Sequence, residues 1–177
     1  MNNEKIIITL FAKDRPGVIR ELSDTVLANK GNWLESSLSR LCGQFAGIVH
    51  LEIAPENKSG LLDAFEKLAQ TGINVTVQDF QEVEAEADSE TIEALQILVE
   101  ANDRPGIVEE IATALADEDI NIENMDTECE SASMAGYNLF RAHMFLALPE
   151  GMSEDQLEQV LENVSDDLMV SVLVDDS

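Results

Sequence analysis

Phe11–Leu22 reads FAKDRPGVIREL, and Glu100–Ile111 reads EANDRPGIVEEI. The tetrad Asp-Arg-Pro-Gly returns at an offset of 89, and the same offset lays Ala12 on Ala101, Glu21 on Glu110 and Asn32 on Asn121. Val18, Leu22 and Val26 fall on Ile107, Ile111 and Leu115, an i, i+4, i+8 apolar stripe that belongs to a core-facing helix. The opposite face is charged, with Arg20, Glu21 and Asp24 in one copy and Glu109 and Glu110 in the other. A chain that repeats itself in this way is read as a duplicated folding unit before any element is assigned. Further on, Pro55-Glu56 matches Pro149-Glu150 at an offset of 94, which predicts five extra residues in the second copy, placed near ESASMAG, Glu130–Gly136.

Working outward, each copy reads as strand, helix, strand, strand, helix, strand. KIIITLFA (5–12) is an apolar run of strand length. Pro16 stands where a helix can start, since its missing N–H costs nothing in a first turn, and Asp14 is placed to cap it. Strands follow at Asn32–Leu41 and Gln44–Ala54 around a Cys42-Gly43 turn. Ser59 is then the expected cap of a second helix carrying Leu61, Leu62, Phe65, Leu68 and Ala69, ended by Gly72 before the strand INVTVQDF. The second copy supplies TIEALQILVEA, a helix from about Pro105, INIENMDTE, YNLFRAHMFLAL, a helix opened by Ser153 with Gln156 at capping-box spacing, and LMVSVLV. This order is the ferredoxin-like βαββαβ unit, so the fold class is α+β, two such units in tandem. The expected domains are residues 1–80 and 92–177, joined by an acidic linker at 81–91.

The formal charge of −26 is unevenly held. Residues 1–80 carry 8 basic and 10 acidic side chains, whereas residues 92–177 carry 21 acids against Arg104 and Arg141 alone. Nucleic-acid phosphates need cations to displace their counterions, so direct DNA or RNA binding is excluded as an expectation. Two readings of the acidity remain, a solvated surface or a docking face for a basic partner. With no long apolar run or signal segment, the chain is expected to be cytoplasmic and without a membrane span. Cys42 and Cys129 have no metal or redox spacing, and buried or half-buried thiols are expected. His50 and His143 lie in apolar strands, no EF-hand or zinc spacing occurs, and neither a catalytic constellation nor a metal or cofactor site is expected. Met125, Met134, Met144 and Met152 are expected to pack in the core or under loops.

The repeated tetrad has two readings. A strand that delivers its chain to a glycine turn at a helix N-terminus exposes backbone N–H groups and the positive end of the helix dipole, which suits a carboxylate. Asp14 or Asp103 could then receive an ammonium group, Asn32 or Asn121 could bond either end of a free amino acid, and Gly17 and Gly106 would leave room where a Cβ would stand. The alternative is a plain strand-to-helix turn in which Asp caps and Pro starts the helix. Arg15 and Arg104 could anchor a ligand carboxylate; the surrounding acids favour an ordinary ion pair instead.

The motif, the element order and the duplication together resemble the ACT domain, a small-molecule-sensing ferredoxin-like module, twice over and across nearly the whole chain. The tandem arrangement is similar to that of the glycine cleavage system transcriptional repressor group. The resemblance implies an amino acid, glycine among them, bound at an interface between two domains through Asp14, Gly17 and Asn32 and through Asp103, Gly106 and Asn121, with Arg15 and Arg104 as further candidate contacts of the same ligand. Some ligand-binding relatives carry a His where both copies here have Ala12 or Ala101. It further implies a non-enzymatic regulator, paired as a homodimer, acting through a partner transcription factor or, alternatively, as a regulatory subunit of an amino-acid metabolic enzyme. An acylphosphatase shares the element order, but its phosphate loop should be electropositive and both loops here open with Asp.

Overall fold

The computed structural model describes residues 3–79, 94–131 and 138–173. It divides into two compact units, Met1–Ala85 and Glu86–Ser177. The expected linker at 81–91 lies outside the described residues.

The first unit runs β1 (Glu4–Lys13), α1 (Val18–Ala28), β2 (Asn32–Leu41), β3 (Gln44–Ile53), α2 (Pro55–Ala69) and β4 (Ile73–Asp79). Its antiparallel sheet has the order β2-β3-β1-β4. Alternation along β1 sends Ile6, Ile8, Leu10 and Ala12 to a face where they are fully buried, together with Val18, Leu22 and Val26 of α1 and Leu61, Phe65 and Leu68 of α2. The other face of β1, with Ile7, Thr9 and Phe11, has no helix over it, and Phe11 is exposed. A Cβ on Gly47 of β3 would run into the Ser37 carbonyl and the Leu38 backbone of β2, so glycine is what lets these two strands approach.

The second unit repeats the plan as β5 (Leu95–Asn102), α3 (Ile107–Asp117), β6 (Asn121–Ser131), β7 (Asn138–Ala147), α4 (Glu154–Glu162) and β8 (Met169–Val172), with sheet order β6-β7-β5-β8. Its separate core gathers Ile97, Val99, Ile107, Ile111, Leu115, Met144, Leu157 and Leu161. The duplication extends to irregularities. The bulge between Trp33 and Glu35 recurs between Ile122 and Asn124, and the left-handed residue after α1, Lys30 with φ 59°, recurs as Asp119 with φ 57°. Among the described residues, no helix is long and apolar enough to cross a membrane.

Several local expectations fail for identifiable reasons. Gly17 and Gly106 adopt φ 95° and 94°, outside helical space, so α1 and α3 begin at Val18 and Ile107, two residues after the prolines, and Pro16 stays in the preceding turn. Neither helix has a side-chain cap, and Asp14 therefore does not cap α1. α2 begins at Pro55 in the first-turn position proline favours, so Ser59 is interior and caps nothing. The Ser153–Gln156 capping box forms as expected.

The offset between β3 and β7 also needs correction. Ile8 faces Val49 while Ile97 faces Met144, which makes the offset 95 and the insertion six residues. Those residues lie between the paired positions Glu130 and Leu139, where the first unit has only Cys42 and Gly43 between Leu41 and Gln44. Pro149 is not the counterpart of Pro55, because it stands ahead of α4, which starts only at Glu154. Both thiols are exposed rather than buried, and Met125 is exposed on edge strand β6. Met144 is fully buried and Met152 packs on the core as expected, whereas Met134 lies outside the described residues.

Candidate functional site

The tetrad occupies the joint between β1 and α1, and again between β5 and α3. Pro-Gly occupies the two central positions of a tight turn. Gly17 at φ 95°, ψ −5° fits the third residue of a type II turn, which requires positive φ. In the second copy the Ile107 N–H donates to the Arg104 carbonyl across that turn at 3.4 Å. A Cβ on either glycine would meet nothing nearer than 3.8 Å within its own unit, so the backbone angle, not crowding, is what demands glycine there.

The reversal brings the arginine back over the first turn of the helix. Arg15 forks onto Glu21 with Nη1–Oε1 2.6 Å and Nη2–Oε2 2.9 Å. Arg104 does the same to Glu110 at 2.7 and 2.5 Å. Each guanidinium, as the main partner, holds its carboxyl below the ordinary glutamate range against the opposing effect of partial desolvation. The carboxylate lies near the helix N-terminus, where the dipole also favours it. Arg15 and Arg104 are therefore committed inside their own units, and the ion-pair reading describes them. Glu21 and Glu110 are the partners of the tetrad that sequence reasoning passed over. The signal was present, an acid six positions after the arginine in both copies.

Around this shared frame the two copies differ in charge. Asp14 donates its backbone N–H to the Gly43 carbonyl, 2.9 Å, and its carboxylate lies 3.3 Å from Arg40 at the end of β2. Thr71 adds a hydroxyl to Glu21 at 3.4 Å. In the second copy Asp103 is anchored in the same way, to the Asn138 carbonyl at 2.9 Å. The position that matches Arg40 is Cys129, whose exposed thiol is pushed up by partial loss of hydration and then by neighbouring Asp103. Asp167 joins this side too, accepting from the Asn102 N–H at 3.0 Å and from Ser165, and these bonds hold its carboxyl down. Beyond the shared Arg–Glu pair, the first loop has a cation beside it, Arg40, and the second an acid, Asp167.

Asn32 and Asn121 are not part of the same cluster. Asn32 opens β2 opposite Glu52, at the far end of the sheet from Asp14, while Arg40 lies near Asp14. The length of β2 separates them, about 30 Å at the rise of an extended strand. Asn121 likewise pairs with Ala147, and its amide bonds Glu123. Both asparagines are exposed on edge strands. One unit alone thus brings together Asp, Arg, Gly and Glu, but not the Asn.

Among the described residues no group of His, Cys, Asp and Glu is arranged to hold a metal. Arg141, on the helix-free face of the second sheet, is ringed by Glu100 at 2.7 Å, Glu130 at 2.7 Å and Glu128 at 3.9 Å.

Two tandem βαββαβ units, each with a Pro-Gly turn delivering a strand to a helix, define a duplicated small-domain protein. Models of the ACT domain match residues 4–78 and 95–166, and the chain belongs to the ACT domain family. Its fold is similar to that of an unknown protein from Galdieria sulphuraria, TM-score 0.78 at 24% identity, covering 98% of this chain and 100% of that one. It is also similar to a candidate glycine cleavage system transcriptional repressor, TM-score 0.71 at 17% identity, covering 97% and 96%. No curated protein matches the sequence.

Proposed function

We propose that this chain is a non-enzymatic, cytoplasmic, homodimeric regulator that binds a free amino acid, with glycine the first candidate, and modulates transcription through a partner protein. The observation that carries the reading is the duplicated ACT loop, an aspartate and a left-handed glycine turn at a helix N-terminus in each unit. ACT domains serve regulation by small ligands, and the similar fold of the candidate repressor supports the transcriptional direction. An excess of 36 acids over 10 bases supports action through a protein rather than on DNA directly.

The geometry sharpens how such a site would work. Because loop and asparagine stand at opposite ends of one sheet, a ligand touching both has to be shared by two ACT units. Such a ligand shifts an equilibrium through its preference for the joined state. Asp103, facing a thiol where Asp14 faces Arg40, is the better seat for an ammonium group. The first loop, with Arg40 beside it, suits an anionic group. Arg15 and Arg104 shape the loop through Glu21 and Glu110 and do not themselves take the carboxylate.

The test is a thermal-shift screen of the twenty amino acids followed by calorimetry on any hit. A specific ligand raises the melting temperature by mass action, and Asp103→Ala and Asn32→Ala weaken it. No shift with any amino acid would refute the sensing role.

A further inference from the structure

We propose that the groove between α3 and α4 docks a basic amphipathic helix of a partner protein. The groove is a shallow, open depression of about 490 Å³ in which Ala114, Val160 and Val164, all half-buried, lie beside Thr113 and Asn163. Along its α3 side stand Glu109, Asp117 and Glu118, exposed to solvent. The fold does not require these acids, since the corresponding positions of α1 are Arg20, Ala28 and Asn29.

Nor are they neutralised from within. Residues 92–177 contain two cations, Arg104 and Arg141. The first is engaged by Glu110 and the second by Glu100 and Glu130, on the helix-free sheet face. Among the described residues no cation pairs with Glu109, Asp117 or Glu118.

An acidic face that served only solubility would need no apolar side chains beside it. A purely apolar groove would not discriminate by charge. Together they select an apolar stripe with Lys or Arg beside it, the helix-in-groove mode of recognition with complementary charge along the α3 side. α3 has 11 residues, about 16 Å of helix at 1.5 Å per residue, which matches three turns of a partner helix. The same carboxylates repel nucleic acid and anionic membrane, leaving a protein helix as the occupant. The inference rests on the reading that the chain acts through a partner, and it does not depend on amino-acid binding.

The experiment uses the full chain and a labelled synthetic helix of about 16 residues, with Leu and Ala on one face and Lys along both flanks. Controls are a scrambled peptide of the same composition and an analogue with Glu in place of Lys. Fluorescence anisotropy at low salt should show binding of the first peptide, with the scrambled one and the D117K/E118K variant each weaker by about tenfold or more. The matched charge reversal D63K/E66K on α2 should stay within about twofold. Equal binding of the scrambled peptide, equal loss in both variants, preference for duplex DNA or anionic vesicles, or no binding would overturn the proposal. Amino-acid binding is read separately by thermal shift. Its absence with peptide binding intact refutes the sensing role alone, and the converse result removes the groove alone.

Discussion

Replacing Gly17 by alanine tests the turn on which the loop depends. With φ at 95°, an L-residue there meets its own carbonyl through its Cβ, and the left-handed region costs roughly 1–2 kcal/mol. The new methyl has room, its nearest neighbour being Glu21 Oε1 at 3.8 Å, so no overpacking adds to this. Restricting the unfolded chain offsets about 0.4–1 kcal/mol, and the expected net loss is about 1 kcal/mol. For a unit of this size, with a urea slope near 1 kcal/mol/M, the midpoint should fall by about 1 M. Trp33 is the single tryptophan and packs partly buried on the first core, so its fluorescence reports the right unit. Asparagine tolerates left-handed angles better, and Gly17→Asn should lose less than Gly17→Ala. A neutral or stabilising alanine, or asparagine worse than alanine, would refute the strain argument and remove the basis for reading the turn as a fixed presenter of N–H groups.

Other substitutions probe separate parts of the structure. Gly47→Ala places a methyl against the β2 backbone at Ser37 and Leu38, which cannot rotate away, and should cost about 2–3 kcal/mol in the same denaturation assay. Because Glu21 has its pKa lowered mainly by Arg15, its contribution should be present above the unfolded value of about 4.3 and be lost as pH falls through the lower folded value. Glu21→Gln should therefore lie below the parent protein in stability at pH 7 and converge with it in acid, with a gap that shrinks in salt because both side chains are 38% exposed. Ser153→Ala removes the hydroxyl arm of the capping box while leaving the Ser153 N–H to Gln156, and should lower the stability of the second unit by about 1 kcal/mol, read by far-UV circular dichroism.

The repeat made most of the fold legible, because a helix stripe and two alternating strands recur at one offset and the hairpin at Cys42-Gly43 falls where expected. What misled was a dipeptide. Matching Pro55-Glu56 to Pro149-Glu150 gives an offset of 94, which would set Val49 on His143 and Ile48 on Ala142. In the structure Val49 is buried and its counterpart is Met144, one residue further on. A slip of one reverses the faces of a strand, so burial parity would have corrected the count where identity could not.

The start of α2 was misread for a related reason. Its first turn is polar, and the apolar pattern begins only at Leu61. At the candidate site, the Asp-Arg-Pro-Gly turn was visible but the reach of Arg15 onto Glu21 was not. Residues six apart do not meet along a regular helix, and only the left-handed glycine doubles the chain back.

The exchange of Arg40 for Cys129 has a bearing on stoichiometry. A protein built from identical single domains would present the same loop at every equivalent position, and would fill its sites in matched pairs. Duplication within one polypeptide lifts that constraint, because each loop can change its flanking charge while the backbone around it stays the same. Under the proposed sensing role, one amino acid per chain is then a natural saturation point, and a response to ligand that follows a simple hyperbola would be its signature.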